Sequence, residues 1–549
     1  FEARTKAAEL LEERGLLART EAYENNVGFS DRSDVPIEPR LSEQWFLRYP
    51  KTKEALAVVR DHLIRFFPAH WEKVYAQWLE NIRDWCISRQ VWWGHRIPAW
   101  YRKSQIPNPK SQRSEEIYVG IEPPPDPENW MQDDDTVDTW FSSWLWAYET
   151  MNPETRKKFY PTSVLVTGPD IIFFWVARMI IAGLEFMPGR SSKIGDNIPF
   201  HHVFFTSIIR DRQGRKMSKS LGNSPDPLEL IGKYGADGLR FGLMRIAPTG
   251  QDIRFDERQI EEGRNFATKL WNVARFRQMH GPSDAAPKID AEALSIFAVE
   301  VLARLNETID AIEAAYREYH FNMVAQHLYN FVWSDYCDWF VEAAKTDIFS
   351  TDEAKKTSTL AVMDVVLSAT LRLLHPFMPH LTEEIWSLLG LGKGSIQFAA
   401  PPEKFALDVV ADLAERRRLV SSIYETVQAG RNLRSTSKLP SNRKIRFILR
   451  TDDKQISEQT PTLSRLLNAE DLTLDASYTA PAGTPVAVTR LGELFLAIAA
   501  ADQGHERERL DKEIARIGEE ARAAEAKLQN KSFVERAPKT VVEEHRRRI

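Results

Sequence analysis

Two ammonium groups three residues apart give the strongest chemical signal in the chain, in the pentapeptide Lys216-Met217-Ser218-Lys219-Ser220. Gly214 and Gly222 lie on either side of it and permit tight backbone turns. Such a loop can close over a polyphosphate and neutralise the charge that grows on a leaving pyrophosphate. A bare pair of lysines is more often a solvated basic turn, but the full pentapeptide in this context favours a phosphate-handling site.

A second concentration of charge lies between residues 431 and 450, where seven basic residues occur without an acidic one. Clustered Lys and Arg side chains are typical of surfaces that contact phosphates. The alternative is a solvated basic face. The seven residues are Arg431, Arg434, Lys438, Arg443, Lys444, Arg446 and Arg450.

Residues 23–256 alternate short β-rich runs with helical stretches, which predicts an α/β fold with parallel strands. We expect strands at 164–166 and 203–205 and a helix at 171–184. The pentapeptide leads into a further helix, with Asp226 as its N-cap and Pro227 at its first position.

From about residue 257 the pattern changes to long helices of period 3.6, which predicts an all-α bundle. A small mixed module follows, with a strand at 445–449. In the last stretch, apolar residues recur at spacings of four and three, which predicts one arm of an antiparallel coiled coil. These residues are Leu510, Ile514, Ile517, Ala521, Ala524 and Leu528.

Composition restricts the class of protein. The 73 basic and 78 acidic residues give a net charge of −5, so any nucleic-acid contact must come from local basic patches. The two cysteines, Cys86 and Cys337, exclude a disulfide scaffold and fit a reducing cytoplasm. The longest apolar run, 171–177, is far too short to span a membrane. Both ends of the sequence fall inside helical patterns, so we expect a fragment of a longer chain.

The pentapeptide resembles the signature loop of the class I aminoacyl-tRNA synthetases, and further motifs narrow the resemblance to the bacterial valyl-tRNA synthetases. The isoleucine and leucine enzymes carry distinguishable versions, typically Asp-Val-Trp-Phe-Asp-Ser where this chain has Asp-Thr-Trp-Phe-Ser-Ser. The resemblance extends over nearly the whole chain. Its motifs occupy residues 84–101, 138–143, 164–179 and 264–272.

The resemblance implies an α/β fold: the second half of a class I Rossmann-type catalytic domain, then an all-α anticodon-binding bundle and a C-terminal coiled-coil arm. The implied domains are the exit of an editing insertion (1–22), the catalytic domain (23–256), the bundle (257–440), the mixed module (441–500) and a truncated tRNA-binding arm (501–549).

The implied activity is that of a valine–tRNA ligase: valine and ATP give valyl-adenylate and pyrophosphate, and the valyl group then passes to tRNA(Val). Lys216 and Lys219 match the catalytic lysines that stabilise the transition state. Gly168 and Asp170 match the glycine and acid that hold the adenylate ribose. The implied ATP site is Gly168, Asp170, Lys216, Met217, Ser218, Lys219 and Ser220.

Trp140, Ile171 and Trp175 match the walls of the valine pocket in the family. Ile171 and Trp175 are four residues apart and would face the same way on an α-helix. Without the resemblance, core packing is the better explanation for these residues. A pocket that excludes isoleucine by size cannot exclude threonine, a limit for which the valine enzymes are the usual illustration. Editing therefore belongs with this family.

Three departures from the family pattern bear on the site. The His-x-Gly-His motif that binds the ATP phosphates is absent from this sequence, and Thr206-Ser207 stand where many relatives have His-Gly. Cysteines that bind zinc in some relatives are also absent near residues 28–34, so we expect Mg²⁺ with ATP and no zinc. His375, His380 and Glu384 suggest a metal site, but the intervening prolines favour a helix-breaking bend.

The implied partners are tRNA(Val), valine and ATP, without a membrane, and the implied state is a cytoplasmic monomer. Because the His-bearing half-site is absent, we expect this chain alone to be inactive. The alternatives are an isoleucine–tRNA ligase and a non-catalytic tRNA-binding fragment. The candidate tRNA contacts are Arg431, Arg434, Lys438, Arg443 and Lys444.

Overall fold

The structure, a computed structural model, describes residues 2–497 except 25, 31–32, 39–40, 104–115, 188–196, 219–220, 249 and 441, and also 514–519 and 522. The described residues divide into two units. The first unit is drawn from Phe1–Ile64, Lys73–Thr162 and Ile171–His201. The second is drawn from Arg65–Glu72, Ser163–Asp170 and His202–Ile549.

The helices of the first unit are α1 Glu2–Glu13, α2 Thr52–Arg60, most of α3 His70–Glu80, α4 Thr139–Ser143, α5 Trp146–Glu149, α6 Pro153–Phe159 and α7 Ala177–Phe186. Helix α7 is apolar on nearly every side, and most of its residues are buried, as expected of a core helix. Helix α2 packs against it and buries Ala55, Val58 and Val59, which share one face.

Short antiparallel pairings complete the first unit. Its strands are β1 Phe46–Leu47, β3 Trp85–Cys86, β4 Ser88–Arg89, β5 Ala99–Arg102, β6 Ile117–Val119, β7 Trp130–Gln132 and β8 Thr136–Val137. Strand β5 lies between β6 and β7, while β1 pairs with β3 and β4 pairs with β8. The β4–β8 pairing brings the motif at 84–101 next to Asp138, where the motif at 138–143 begins.

A small parallel sheet opens the second unit. Its strands, β2 Arg65–Phe67, β9 Thr162–Thr167 and β10 Phe200–Phe205, lie in the order β2-β10-β9, and β10 runs parallel to β2. The buried rings of Phe66 and Phe205 meet edge to face with centroids 5.6 Å apart. Both predicted strands, 164–166 and 203–205, are confirmed. A two-stranded pair follows, β11 Ile209–Arg210 and β12 Ile253–Arg254.

The helices of the second unit form a bundle, as the 3.6-residue period predicted. They are α8 Pro227–Tyr234, α9 Ala236–Arg245, α10 Glu257–Gln278, α11 Ile296–Arg317, α12 Phe321–Asn330, α13 Glu342–Ile348, α14 Glu353–Leu374, α15 Pro379–Leu389 and α16 Leu413–Thr436, with a π-helix at Phe331–Val341. Within the described residues, α14 alone is long and apolar enough to span a membrane. Because 61% of that apolar stretch is buried against neighbouring helices, α14 is a core helix of the bundle.

The mixed module continues the bundle rather than standing apart from it. It contains β13 Ile445–Arg450, α17 Gln455–Leu466, β14 Ala469–Leu474, β15 Val486–Thr489 and β16 Gly492–Ala497, with the strands in the order β14-β13-β16-β15. The predicted strand at 445–449 is confirmed. One hydrophobic core runs from the bundle into Phe447 and Leu494 of the module. The domain boundary that we predicted after residue 440 therefore crosses a continuous core.

The predicted coiled-coil arm lies outside the described residues, apart from 514–519 and 522, which are helical.

Candidate functional site

The described part of the pentapeptide, from Lys216 to Ser218, lies on a tight turn after β11. Arg210, the last residue of β11, forms an isolated antiparallel bridge with Lys216. Gly214 has a φ of 83° and Gly222 a φ of 61°, so both glycines adopt conformations that other residues rarely adopt. Lys219 and Ser220 lie outside the described residues.

The Asn223 side chain holds the backbone of this turn through hydrogen bonds. Its Oδ1 accepts a hydrogen bond from the Ser218 backbone N–H at 2.9 Å, and its Nδ2 donates to the Lys216 carbonyl oxygen at 3.2 Å. The same Nδ2 donates to Asp211 Oδ2 at 3.0 Å. Asp211 also accepts from the backbone N–H and the Nε of Arg215, at 2.8 and 2.7 Å. One amide and one carboxylate therefore hold the backbone of the loop.

Asp211 is ionised at neutral pH. Burial opposes its ionisation, but the hydrogen bonds from Asn223 and Arg215 outweigh that effect and lower the pKa of this carboxyl to about 2. A carboxyl whose pKa is depressed keeps its charge until the pH falls towards the lowered value. The hydrogen bonds that it accepts are therefore intact throughout the neutral range.

Lys216 differs from the other cations that the structure describes in this turn. Arg210 pairs with Asp252, and Arg212 pairs with Asp256 at 3.1 Å. Lys216 is exposed, and no carboxylate of the described chain lies within ion-pair distance of its ammonium group. Its charge is thus available to an anionic ligand.

Gly168 and Asp170 follow β9 directly. The Thr206 N–H donates to the Thr167 carbonyl oxygen at 2.9 Å, which holds the end of β9 beside the segment that leaves β10. A Cβ atom on Gly168 would lie 2.7 Å from Asp170 Oδ1, so glycine is needed for this position of the carboxylate. Asp170 is exposed and can accept hydrogen bonds from the hydroxyl groups of a ligand.

Two of the predicted valine-pocket residues, Trp140 and Trp175, are tied to α4 in the first unit. Asp138 caps this helix and accepts a hydrogen bond from the Trp140 N–H at 3.3 Å. Trp175 Nε1 donates to the carbonyl oxygen of Ser143, the last residue of α4, at 2.9 Å. Trp140 also stacks on Phe174 with ring centroids 5.8 Å apart and lines a cleft of about 640 Å³.

The backbone between Ile171 and Trp175 is not the α-helix that we predicted. Pro169–Ile171 is a 3₁₀ turn and Ile172–Val176 is π-helical, so the α-helix begins only at Ala177. A π-helix closes its hydrogen bonds from i to i+5 rather than i to i+4. Ile171 thus belongs to the 3₁₀ turn and Trp175 to the π-helix, so the two residues do not share one α-helix as we predicted. The helix predicted at 171–184 is present, but its first turns have a different pitch.

Asp138, Arg178 and Asn223 had no predicted role, although Asp138 and Arg178 bond to the backbone around Trp140 and Trp175, and Asn223 bonds to the backbone of the pentapeptide. Arg178 ends the longest apolar run of the chain, and we used it only as the limit of that run. Arg178 is buried in the structure. The position of a charged residue directly after an apolar run could therefore have indicated its burial.

No group of three His, Cys, Asp or Glu side chains suited to a metal ion occurs within the part of the chain that the structure describes. His375 Nδ1 lies 2.8 Å from Thr382 Oγ1. Helix α14 ends at Leu374 and α15 begins at Pro379, so a bend lies where the prolines predicted it.

Four of the five candidate tRNA contacts are exposed. Arg431 lies on α16, and its guanidinium carbon is 4.9 Å from the centroid of the Trp339 ring. Lys438, Arg443 and Lys444 lie in the connection to β13.

Arg434 does not belong to this exposed group. It is 5% exposed, and its guanidinium donates to the carbonyl oxygens of Arg443, Leu467 and Asn468 at 2.6, 2.9 and 2.7 Å. These bonds join α16 to the mixed module. Arg434 is thus a buried structural cation that a phosphate cannot reach, and we remove it from the predicted patch.

Three family models match the chain. The model described as "tRNA synthetases class I (I, L, M and V)" matches residues 5–256. That of the "Anticodon-binding domain of tRNA ligase" matches 299–449, and that of the "Valyl tRNA synthetase tRNA binding arm" matches 502–549.

Curated relatives match along the full length of the chain. Valine–tRNA ligase of Geobacillus kaustophilus is 42% identical over 100% of this chain and 62% of its own length. The Bacillus subtilis enzyme of the same name is 40% identical over 100% of this chain and 61% of its own length. The chain thus spans about three fifths of these relatives.

A solved structure supports the fold. Mycobacterium tuberculosis methionyl-tRNA synthetase bound by methionyl-adenylate aligns with a TM-score of 0.50 and 20% identity, covering 70% of this chain and 69% of that one.

Proposed function

We propose that this chain is part of a class I aminoacyl-tRNA synthetase that activates valine with ATP and transfers the valyl group to tRNA(Val), because the class I model matches residues 5–256 and valine–tRNA ligases match along the whole chain. The carboxylate of valine attacks the α-phosphorus of ATP, and pyrophosphate leaves. The valyl-adenylate then acylates the terminal ribose of the tRNA and releases AMP.

The observation that carries this proposal is the polar turn that presents Lys216. Negative charge grows on the leaving pyrophosphate, and a cation already fixed in place stabilises it without reorganisation. The Lys216 ammonium meets this need because its backbone is held by Asn223 and its charge is not neutralised by a neighbouring carboxylate of the described chain. Lys219 is proposed for the same role on the resemblance of the pentapeptide.

The other ligand groups are assigned by their chemistry. Asp170 accepts from the ribose hydroxyls of the adenylate, and Gly168 leaves room for that carboxylate. Met217, Ser218 and Ser220 complete the ATP site. Trp140, Ile171 and Trp175 form the walls of the valine pocket.

Mg²⁺ accompanies ATP in this proposal. A hard cation prefers phosphate oxygens and water, and we assign none of its ligands to the described residues.

We assign no zinc, and we place the enzyme in the cytoplasm as a monomer. We retain the proposed domain order, with the module at 441–500 sharing the core of the bundle.

For the tRNA we propose the exposed patch of Arg431, Lys438, Arg443 and Lys444. Such cations contact the phosphate backbone and position the nucleic acid without reading its sequence.

Amino-acid-dependent exchange of pyrophosphate into ATP tests the proposal on the complete gene product that contains this chain. We expect exchange with valine, weaker exchange with threonine and little with isoleucine, because the pocket excludes by size. Exchange that prefers isoleucine would identify an isoleucine–tRNA ligase instead.

Capture of total cellular tRNA at low salt, followed by sequencing, tests the tRNA partner. Enrichment of valine tRNA over isoleucine tRNA is the expected result. Enrichment of a different tRNA would overturn the assignment of the amino acid.

A further inference from the structure

A buried cluster of charged and aromatic residues lies behind Trp140 in the first unit, and the proposed function leaves it unused. Trp85, Asp138 and Arg178 are 6%, 6% and 7% exposed. The guanidinium carbon of Arg178 lies 3.6 Å from the centroid of the Trp85 ring, a cation–π contact. Trp85 Nε1 donates to Asp138 Oδ2 at 2.9 Å, so a cation and a carboxylate hold the same indole.

The charges of this cluster have partners. Arg89 Nη2 donates to Asp138 Oδ2 at 2.7 Å, and Arg178 Nη1 lies 3.9 Å from the same oxygen. Arg178 Nε donates to the Tyr49 hydroxyl at 3.0 Å. Buried charges are retained at a cost in desolvation and often serve to specify a geometry rather than to add stability.

The cluster is joined to both predicted tryptophan walls of the valine pocket. Asp138 uses its second oxygen, Oδ1, to accept from the Trp140 N–H at the start of α4. Arg178 Nη1 donates to the Phe174 carbonyl oxygen at 3.5 Å, and the Phe174 ring stacks on Trp140. Trp175 is the next residue in the chain and is bonded to the other end of α4. Asp138 and Arg178 thus form hydrogen bonds with the backbone at Trp140 and directly before Trp175.

We propose that Asp138 and Arg178 are positioning residues that set the amino-acid selectivity of the activation step, by fixing Trp140 and Trp175 at the width that valine fills. This inference rests on the proposed function. A single methylene separates valine from isoleucine, and a pocket can discriminate that difference only while its walls stay in place. A displacement of about 1 Å in a site can change a rate by up to about 100-fold.

The test uses Arg178→Met and Asp138→Asn in the complete gene product, with pyrophosphate exchange measured for valine and for isoleucine. We expect the KM for valine to rise about tenfold and the preference in kcat/KM for valine over isoleucine to fall about tenfold. The KM for ATP is expected to change less than about twofold, because the cluster contacts the side-chain walls. Arg178→Lys keeps the cation but loses the planar donor fork, so an intermediate loss is expected.

Arg277→Met is the matched control. Arg277 is 3% exposed and donates to Asp364 at 2.7 Å within the helical bundle, so its loss also removes a buried ion pair. We expect a lower melting temperature with an unchanged preference for valine. Should Arg178→Met yield too little folded protein, the nearly isosteric Asp138→Asn carries the test.

The outcomes separate this inference from the proposed function. A wild-type enzyme that exchanges with valine, together with Arg178→Met and Asp138→Asn variants of unchanged preference, would overturn the positioning role and leave the proposed function standing. An equal loss of preference in Arg277→Met would also overturn it, because the effect would then follow from general destabilisation. A wild-type enzyme without valine-dependent exchange would overturn the proposed function, and the inference with it.

Discussion

The two regions that carry the candidate active-site residues are held in opposite ways. Lys216 lies on an exposed turn whose backbone is fixed by Asn223 and Asp211 through hydrogen bonds. Trp140 lies on a short helix fixed by the buried charges of Asp138 and Arg178 and by stacked rings. In the buried region the cation Arg178 contacts its neighbours, whereas in the exposed region Lys216 has no carboxylate partner among the described residues.

Burial and pairing, rather than residue type, therefore distinguish Arg178 from Lys216. Arg434 illustrates the rule a second time, because it lies in a basic run yet donates only to backbone carbonyl groups. A buried cation cannot approach a phosphate without leaving those carbonyl groups unsatisfied.

Lys216→Ala tests the exposed side of this comparison and has the largest expected effect. We expect the rate of valine-dependent pyrophosphate exchange to fall about 100-fold, because the variant lacks a preorganised cation at the leaving group. Arg212→Ala is the control, since this neighbouring cation already pairs with Asp256. A rate that is unchanged in Lys216→Ala would remove this lysine from the mechanism.

Arg434→Met tests the buried side of the comparison. We expect the free energy of unfolding to fall by about 2 kcal/mol, since three carbonyl groups lose their donor. Denaturant unfolding measures the change, and Arg431→Met, on the exposed face of the same helix, is expected to have little effect. Equal destabilisation by the two variants would contradict the distinction.

Asn223→Ala tests how the loop is held, because the variant lacks the hydrogen bonds of Asn223 and keeps the Lys216 cation. We expect the KM for ATP to rise about tenfold, as Lys216 remains present but is less well positioned. Steady-state exchange at varied ATP concentration measures this. Ser224→Ala, at an exposed neighbouring position, is the control, and a KM that rises equally in both variants would contradict the role of Asn223.

Lys444→Ala has the smallest expected effect. We expect binding of tRNA to weaken a few-fold and the slope of log affinity against log salt concentration to decrease in magnitude by about 0.7–0.9, as expected for one lost phosphate contact. Lys404→Ala removes the same charge from a lysine that pairs with Asp310, and we expect it to leave the slope unchanged. An unchanged slope in Lys444→Ala would exclude Lys444 from the phosphate contacts.

The sequence predicted those features that depend on local pattern. The strands around 164–166, 203–205 and 445–449, the glycine turns at Gly214 and Gly222 and the Asp226 cap were all found. The π-helix at Ile172–Val176 was missed, because five residues are too few for its periodicity to be distinguished from that of an α-helix. The burial of Arg434 and Arg178 was missed as well, since their partners are distant in sequence and only the tertiary fold brings them together.

The most direct test of the division between the two regions is the preference for valine over isoleucine, measured in one exchange assay for Lys216→Ala and Arg178→Met. We predict that Lys216→Ala lowers both rates by the same factor and leaves the preference unchanged, whereas Arg178→Met lowers the preference about tenfold. A preference that shifts equally in both variants, or in neither, would contradict the account.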